Sequence, residues 1–98
     1  MTKMYVMVRQ DLSPAARAVQ AGHAVAEFLL HNKTEWENGT LIYLGVKNEM
    51  ELVKWLCKLE RKNIDHSVFS EPDMNDELTA AAFVSDDKVN GLTLAEWD

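Results

Sequence analysis

Histidine and cysteine are the side chains that most often carry acid–base and nucleophilic chemistry, and this sequence holds three His and one Cys. His23 lies in an alanine-rich segment, where a histidine hydrogen-bonded at the edge of the core is the favoured interpretation and a functional histidine is the alternative. His23 and His31 are too far apart to share a metal ion, because eight residues of helix span about 12 Å. Cys57 lies among leucines without a neighbouring histidine, which predicts a buried, inert thiol. The sequence therefore predicts neither a metal site nor a cysteine nucleophile.

Charged residues near predicted strand ends mark a second group of candidates. Arg17 follows the first predicted strand, at the edge where open α/β sheets bind their ligands. The acidic segment 71–77 leads directly into Thr79 on a strand of small apolar residues. Connections of this length between strands are often functional, although charge runs are more often solvated loops. We expect Arg17, Asp73 and Thr79 to lie at one end of the sheet.

The charge distribution limits the class of partner. The net charge is −6, and it divides into +2 over residues 1–64 and −8 over residues 65–98. Nucleic-acid binders are usually basic because phosphate neutralisation supplies most of their affinity. One local exception is a basic ridge at helical spacing, for which a solvated helix face is the favoured interpretation and phosphate contact the alternative. The basic ridge consists of Lys54, Lys58, Arg61 and Lys62.

Length and composition predict one globular domain over residues 1–98, with 47% hydrophobic residues. The apolar runs are far shorter than the ~20 residues of a membrane span, and the amino terminus does not resemble a secretory signal. A lone cysteine cannot form an internal disulfide, which favours the cytoplasm.

The elements that must position these residues alternate between strands and helices. Strands are predicted at 4–9, 40–46, 64–70 and 78–84, and helices at 14–31 and 49–63. Ser13 before Pro14 and Asn48 before Glu51 are typical helix N-caps. The first strand is nearly all apolar, which predicts a central strand covered on both faces. The order indicates a mixed sheet with helices packed on it, followed by a short helical turn near residues 93–96.

Helical spacing also predicts which faces are buried. On the first helix, the packing face is expected to hold Val19, Ala26, Leu29 and Leu30, and Gly22 should allow close approach of a neighbouring element. On the second helix, the expected apolar face holds Met50, Val53, Leu56 and Leu59.

Several short motifs, taken in order, resemble the type 2 peptidyl-tRNA hydrolase family of archaea and eukaryotes. The first strand ends in Val8-Arg9-Gln10-Asp11-Leu12, similar to the family's Val-Arg-x-Asp-Leu. The first helix carries Gln20-Ala21-Gly22-His23-Ala24, similar to Ala-Gln-x-x-His-Ala. An acidic-led loop and Thr79 follow in the corresponding places, so the resemblance runs over roughly residues 4–84.

The resemblance implies a mixed four-stranded sheet flanked by helices, commonly as a homodimer. It implies metal-independent hydrolysis, without a cofactor, of the ester between a peptide and the 3′ ribose of tRNA. It assigns the carboxylate to Asp73 or Glu71, the hydroxyl to Thr79, and a supporting role to Gln20 and His23.

The sequence departs from the family at the expected lysine. The segment before the helix is two residues shorter, and Ala16 stands where the family has lysine four residues before the glutamine. Arg17 is the cation that could replace it, although an arginine is a poorer proton donor.

Two hypotheses follow. The first is an esterase acting on peptidyl-tRNA or N-blocked aminoacyl-tRNA. The alternative is a catalytically degenerate module that binds RNA weakly through the basic ridge, or a protein partner through segment 71–77. The apolar tail residues Leu92, Leu94 and Trp97 further predict a homodimer.

Overall fold

The computed structural model describes residues 2–86 and the backbone of residues 93–94. These residues form a mixed sheet with one helix on each face. The elements, in chain order, are β1 Lys3–Arg9, α1 Pro14–His31, β2 Leu41–Val46, α2 Glu49–Arg61, β3 His66–Glu71, a 3-10 turn Pro72–Met74, β4 Glu77–Ser85 and β5 Thr93–Leu94.

The strand order across the sheet is β3-β4-β1-β2-β5. β1 and β2 are parallel, which requires a crossover, and α1 supplies it. The other neighbours are antiparallel. The expected mixed four-stranded sheet is confirmed, and the short β5 is added at the β2 edge. Thr93 and Leu94 therefore form a strand, where the sequence had suggested a helical turn. Leu92 and Trp97 lie outside the described residues.

Both predicted helix N-caps are confirmed. The hydroxyl of Ser13 accepts a bond from the Ala16 amide at 3.3 Å. The side chain of Asn48 accepts from the Glu51 amide at 3.0 Å, and the Glu51 carboxylate reaches back to the Lys47 amide at 3.0 Å. These side chains satisfy amide groups that a helix start otherwise leaves unpaired.

The core has two layers, because the side chains of β1 alternate between its two faces. Met4, Val6 and Val8 pack toward α1, whereas Tyr5 and Met7 pack toward α2. The prediction of a central strand covered on both faces is thus confirmed.

The predicted packing face of α1 is wrong. Leu30 is 74% exposed, and Val19, Leu29 and Ala26 are also exposed. The sheet instead covers the opposite side of the helix, where Ala21 and Ala24 meet alanines of β4. Small side chains on both sides let the helix lie close to the sheet. Nothing lies within 4 Å of a Cβ built on Gly22, so Gly22 makes no close approach.

The predicted face of α2 is partly wrong. Met50 is 81% exposed and Val53 is exposed, while Leu52 and Leu59 are buried. Cys57, expected to be buried, is exposed. The core lies under the side of α2 that carries Leu52 and Leu59, which turns Cys57 outward.

The acidic segment is more compact than its length suggested. Glu71 and Glu77 pair across the β3–β4 ladder, so residues 72–76 alone connect the strands. Asn75 and Asp76 both have positive φ, of 55° and 60°, which makes the tight return possible. The segment is therefore a hairpin connection. No helix in the described part of the chain is both long and apolar enough to cross a membrane.

Candidate functional site

Three chain connections meet at one edge of the sheet, the edge formed by the carboxyl ends of β1 and β2. Arg9 at the end of β1 lies beside Val46 at the end of β2. β4 runs antiparallel, so Ala80 near its start lies opposite Val8. The β1–α1, β2–α2 and β3–β4 connections therefore share this edge, which we call the catalytic edge because residues predicted to be catalytic lie on or beside these connections.

A β-bulge places Thr79 at the catalytic edge. Phe69 pairs with Ala80 and Ser70 pairs with Leu78, so Thr79 is an extra residue in β4. Leu78 packs with the α2 layer and Ala80 with the α1 layer. In a regular strand Thr79 would face α2. The bulge turns it toward α1, as bulges commonly re-aim side chains.

Thr79 contacts Gln20 across the interface between β4 and α1. The Thr79 hydroxyl lies 2.6 Å from Gln20 Oε1 and 3.2 Å from the Phe69 carbonyl oxygen. Thr79 is completely buried and Gln20 nearly so. A hydroxyl has one proton to donate, and the shorter contact identifies Gln20 as its principal acceptor. Two residues named from separate motifs thus meet in one buried hydrogen bond.

Arg17 lies one helical turn before Gln20 and is 8% exposed. Its Nε donates to the Leu12 carbonyl at 2.8 Å, and its Nη1 lies 3.4 Å from Gln10 Oε1. Gly45 gives Gln10 its room, because a Cβ at that position would lie 2.8 Å from the Gln10 Cδ. The guanidinium is therefore held by the β1–α1 connection. Arg17 lies one turn before Gln20, the residue that bonds Thr79, and the convergence of Arg17, Asp73 and Thr79 stays a prediction.

His23 lies one turn after Gln20 and is exposed. Its ring stacks on Phe69 of β3, with centroids 4.2 Å apart and planes inclined by 6°. The favoured interpretation was a hydrogen-bonded histidine at the core edge. The structure places it at the surface, because the helix packs through Ala21 and Ala24.

The two candidate carboxylates lie on the β3–β4 connection. Glu71 is the last residue of β3 and is half-buried, and Asp73 is exposed in the 3-10 turn. The amide of Asp76 donates to the Glu71 carbonyl at 3.0 Å, which closes the turn. Asp73 is thus an accessible carboxylate at the catalytic edge. The catalytic roles of these residues stay predictions.

Arg9, an arginine at the centre of this edge, was not among the residues predicted to form the site. Arg9 bonds both oxygens of Asp11 at 2.9 and 2.8 Å. It also bonds the Glu77 carboxylate at 2.8 Å and the Leu78 carbonyl at 3.1 Å. These contacts raise the pKa of Arg9, chiefly through Asp11, and the Arg9 hydrogen bond holds the pKa of Asp11 below its usual value. An arginine ending a buried apolar strand requires such partners, and that signal was present in the sequence.

Glu49, at the start of α2, was also missed. Its carboxylate accepts a hydrogen bond from the Leu78 amide at 2.7 Å. Leu78 immediately precedes the bulge. Side chains bind both of its backbone groups: Glu49 accepts from the amide, and Arg9 donates to the carbonyl oxygen. Side chains from α2 and β1 therefore fix the bulge that directs Thr79.

The basic ridge lies along α2 and its C-cap, as its spacing predicted. Lys54, Arg61 and Lys62 are exposed. The Lys58 ammonium lies 4.3 Å from the centroid of the Trp55 ring, a cation–π contact that orders this side chain.

One cleft lies away from the catalytic edge. A cleft of about 370 Å³ lies at the opposite edge, lined by residues that include Lys33, Asp65 and Ser85, and no predicted catalytic residue lines it. Within residues 2–86, no cluster of three His, Cys, Asp or Glu side chains could hold a metal ion.

Comparison with known proteins agrees with the motifs. One solved structure, a protein of unknown function from Agrobacterium tumefaciens strain C58, aligns with 97% of this chain and 98% of its own at a TM-score of 0.74. The two sequences are 14% identical, so the likeness establishes the fold. A search of curated proteins found no match. The model of the peptidyl-tRNA hydrolase PTH2 family matches residues 2–88, and this chain therefore belongs to that family.

Proposed function

We propose that this protein hydrolyses the ester between a peptide, or an N-blocked amino acid, and the 3′ ribose of tRNA. Water adds to the ester carbonyl carbon, the bond from that carbon to the ribose oxygen breaks, and a carboxylic acid and a tRNA hydroxyl result. The proposal rests on the PTH2 family match. The meeting of Gln20 and Thr79, which come from two motifs of that resemblance, supports it.

Burial suggests how the residues divide the work. Asp73 is exposed and Glu71 half-buried, so these carboxylates are available to orient water. Thr79 and Gln20 are buried and act as positioning residues. Arg17 adds positive charge to the same end of α1, which favours the oxyanion that develops at the carbonyl oxygen. This mechanism uses no metal or cofactor.

The deciding experiment measures release of tRNA from an N-blocked aminoacyl-tRNA by the purified protein. We expect turnover above buffer, and a loss of about 100-fold or more in Asp73→Asn if the carboxylate orients water. Asp65→Asn is the matched control, because Asp65 is an exposed aspartate at the opposite edge. Absence of turnover at high protein concentration would contradict the proposal.

The second candidate is a binding module that keeps the fold without catalysis. It is favoured by Ala16 in the position of the family lysine, and by the burial of Arg17 among backbone and side-chain acceptors. Such a module would contact RNA through the basic ridge or a protein partner through segment 71–77. Binding of tRNA without release would identify it.

We further propose that residues 1–98 act as a single domain in the cytoplasm, as a homodimer. The lone cysteine supports the compartment. Two exposed apolar side chains near the carboxyl end of α1, Leu29 and Leu30, lie away from His23 and support association of two copies.

A further inference from the structure

Burial separates the candidate residues of α1 into two kinds. Arg17 and Gln20 are buried, whereas His23 is exposed. A substrate that approaches the catalytic edge over α1 therefore meets His23 before the other two.

The orientation of the His23 ring is fixed by a stacking contact on one of its faces. One face of its ring lies on Phe69 with nearly parallel planes, 4.2 Å between centroids. Phe69 packs on the α1 core layer, and its carbonyl oxygen lies 3.2 Å from the Thr79 hydroxyl. Because Phe69 covers one face of the ring, the exposed surface of His23 includes the opposite face, one helical turn from Gln20.

We propose that the outer face of His23 is a stacking platform for a planar aromatic ring of the substrate, the terminal nucleobase of an RNA 3′ end. This inference rests on the proposed function and adds the part of the substrate that is recognised. Proteins bind unpaired nucleotides by stacking bases on aromatic side chains and histidine. The terminal base is the ring common to all acyl-tRNA esters and is attached to the ribose that carries the ester. A platform next to Gln20 and Thr79 would place that ester at the catalytic edge.

The binding test uses a short single-stranded RNA ending in CCA and needs no turnover. The dissociation constant is measured for the full chain and for His23→Leu, His23→Phe and His31→Leu. Stacking of one base predicts weakening of about 5- to 150-fold in His23→Leu. His23→Phe keeps a ring and should bind within about twofold of the original. His31→Leu is the matched control, because His31 is an exposed histidine two turns along the same helix.

Two further probes test whether the ring that stacks on His23 belongs to the terminal base or to the amino acid. With an abasic nucleotide at the 3′ end, the original protein and His23→Leu should bind equally. In the tRNA-release assay, the KM effect of His23→Leu should be the same for aromatic and aliphatic N-blocked amino acids.

Three results would overturn the platform. These are no binding of the CCA probe by the original protein, unchanged binding in His23→Leu, or an effect that follows the amino acid instead of the base. If the protein binds the probe through His23 but releases no tRNA, the proposed esterase fails while the platform stands. Circular dichroism of each variant verifies that the fold is intact.

Discussion

The guanidinium of Arg9 and the carboxylate of Glu77 lie 2.8 Å apart, although 68 residues separate them in sequence. The same guanidinium holds Asp11 on the β1–α1 connection. Arg9 thus joins the connection that leads to Arg17 with the strand that carries Thr79. The catalytic edge is consequently crossed by an ionic framework in which a buried guanidinium holds two partly exposed carboxylates.

Replacing Asp11 with Asn should lower the free energy of unfolding by about 1 kcal/mol at pH 7, because the Asp11 side chain is partly exposed and its ion pair is screened. The pKa of Asp11 is lower in the folded protein than its usual value of 3.8. Its contribution is therefore complete above pH 3.8 and disappears as the pH falls through the folded-state pKa. Urea unfolding from pH 7 down to pH 2 measures the difference between the two proteins.

The control for this prediction is Asp65→Asn, which changes the same charge at the opposite edge and should alter stability by less than about 0.5 kcal/mol. A difference between Asp11→Asn and the original protein that persists at the lowest pH would show that packing, and not the charge of Asp11, is responsible.

Replacing Thr79 with Val should destabilise the protein by about 1–3 kcal/mol, because it leaves the buried Gln20 oxygen without its donor. Thr79→Ser keeps the hydroxyl and should retain most of the tRNA-release activity, whereas Thr79→Val should lose it. Urea unfolding and the release assay give the two quantities. Equal stability of the Ser and Val variants would contradict the importance of this hydrogen bond.

Replacing Gly45 with Ala should destabilise by about 1–3 kcal/mol, because the new methyl group would lie 2.8 Å from three atoms of Gln10. Shortening Gln10 removes the collision. The double variant Gly45→Ala/Gln10→Ala should therefore be less destabilised than the sum of the two single changes, as measured by a double-mutant cycle. Additive effects would mean that Gln10 moves aside at no cost.

The double variant Lys58→Glu/Arg61→Glu, which reverses the charge of the basic ridge, should abolish tRNA binding while the fold is kept. Three or four phosphate contacts predict a slope of about −2 to −4 for log K against log salt concentration in the original protein. The matched pair Arg61→Glu and Lys33→Glu changes the net charge equally on the ridge and at the opposite edge. Unchanged binding in the double variant would make the ridge a solubility feature.

Homodimer formation through α1 is tested by light scattering at tens of micromolar. Leu30→Glu should yield a monomer, because Leu30 belongs to the exposed apolar face of α1. Met50→Glu is the control, since Met50 is similarly exposed but lies on α2. A monomeric original protein, or the same effect from both changes, would contradict this interface.

Local sequence chemistry predicted where the helices and strands lie. It did not predict which face of each helix packs on the sheet. Ser13 and Asn48 predict helix starts because their short polar side chains accept hydrogen bonds from amides three residues later. The alanine-rich α1 has two apolar sides, and only the sheet decides that Ala24 is buried and Leu30 exposed. The same limit applies to α2, where Leu52 and not Met50 meets the core.

Three residues of the candidate site could be named from the sequence, whereas the geometry that joins them could not. Gln20, His23 and Thr79 could be named from the resemblance, whereas the 2.6 Å bond between Gln20 and Thr79 depends on a bulge set by the pairing of β3 with β4. Periodicity within β4 alone gives no sign of that shift. The partners of Arg9 and Glu49 likewise come from distant segments, so their roles became visible only in three dimensions.

The extra residue in β4 makes the length of this strand, and not only its composition, a condition for the site. Losing one residue at Thr79 would restore unbroken alternation with Leu78 still in the α2 layer and Ala80 still in the α1 layer, but it would remove the hydroxyl that bonds Gln20. Keeping the residue while straightening the strand would instead turn Thr79 toward the α2 layer and exchange inside and outside for the residues between it and the hairpin. Relatives that keep this fold without the extra residue in β4 are therefore expected to have dismantled the site, whatever other side chains they retain.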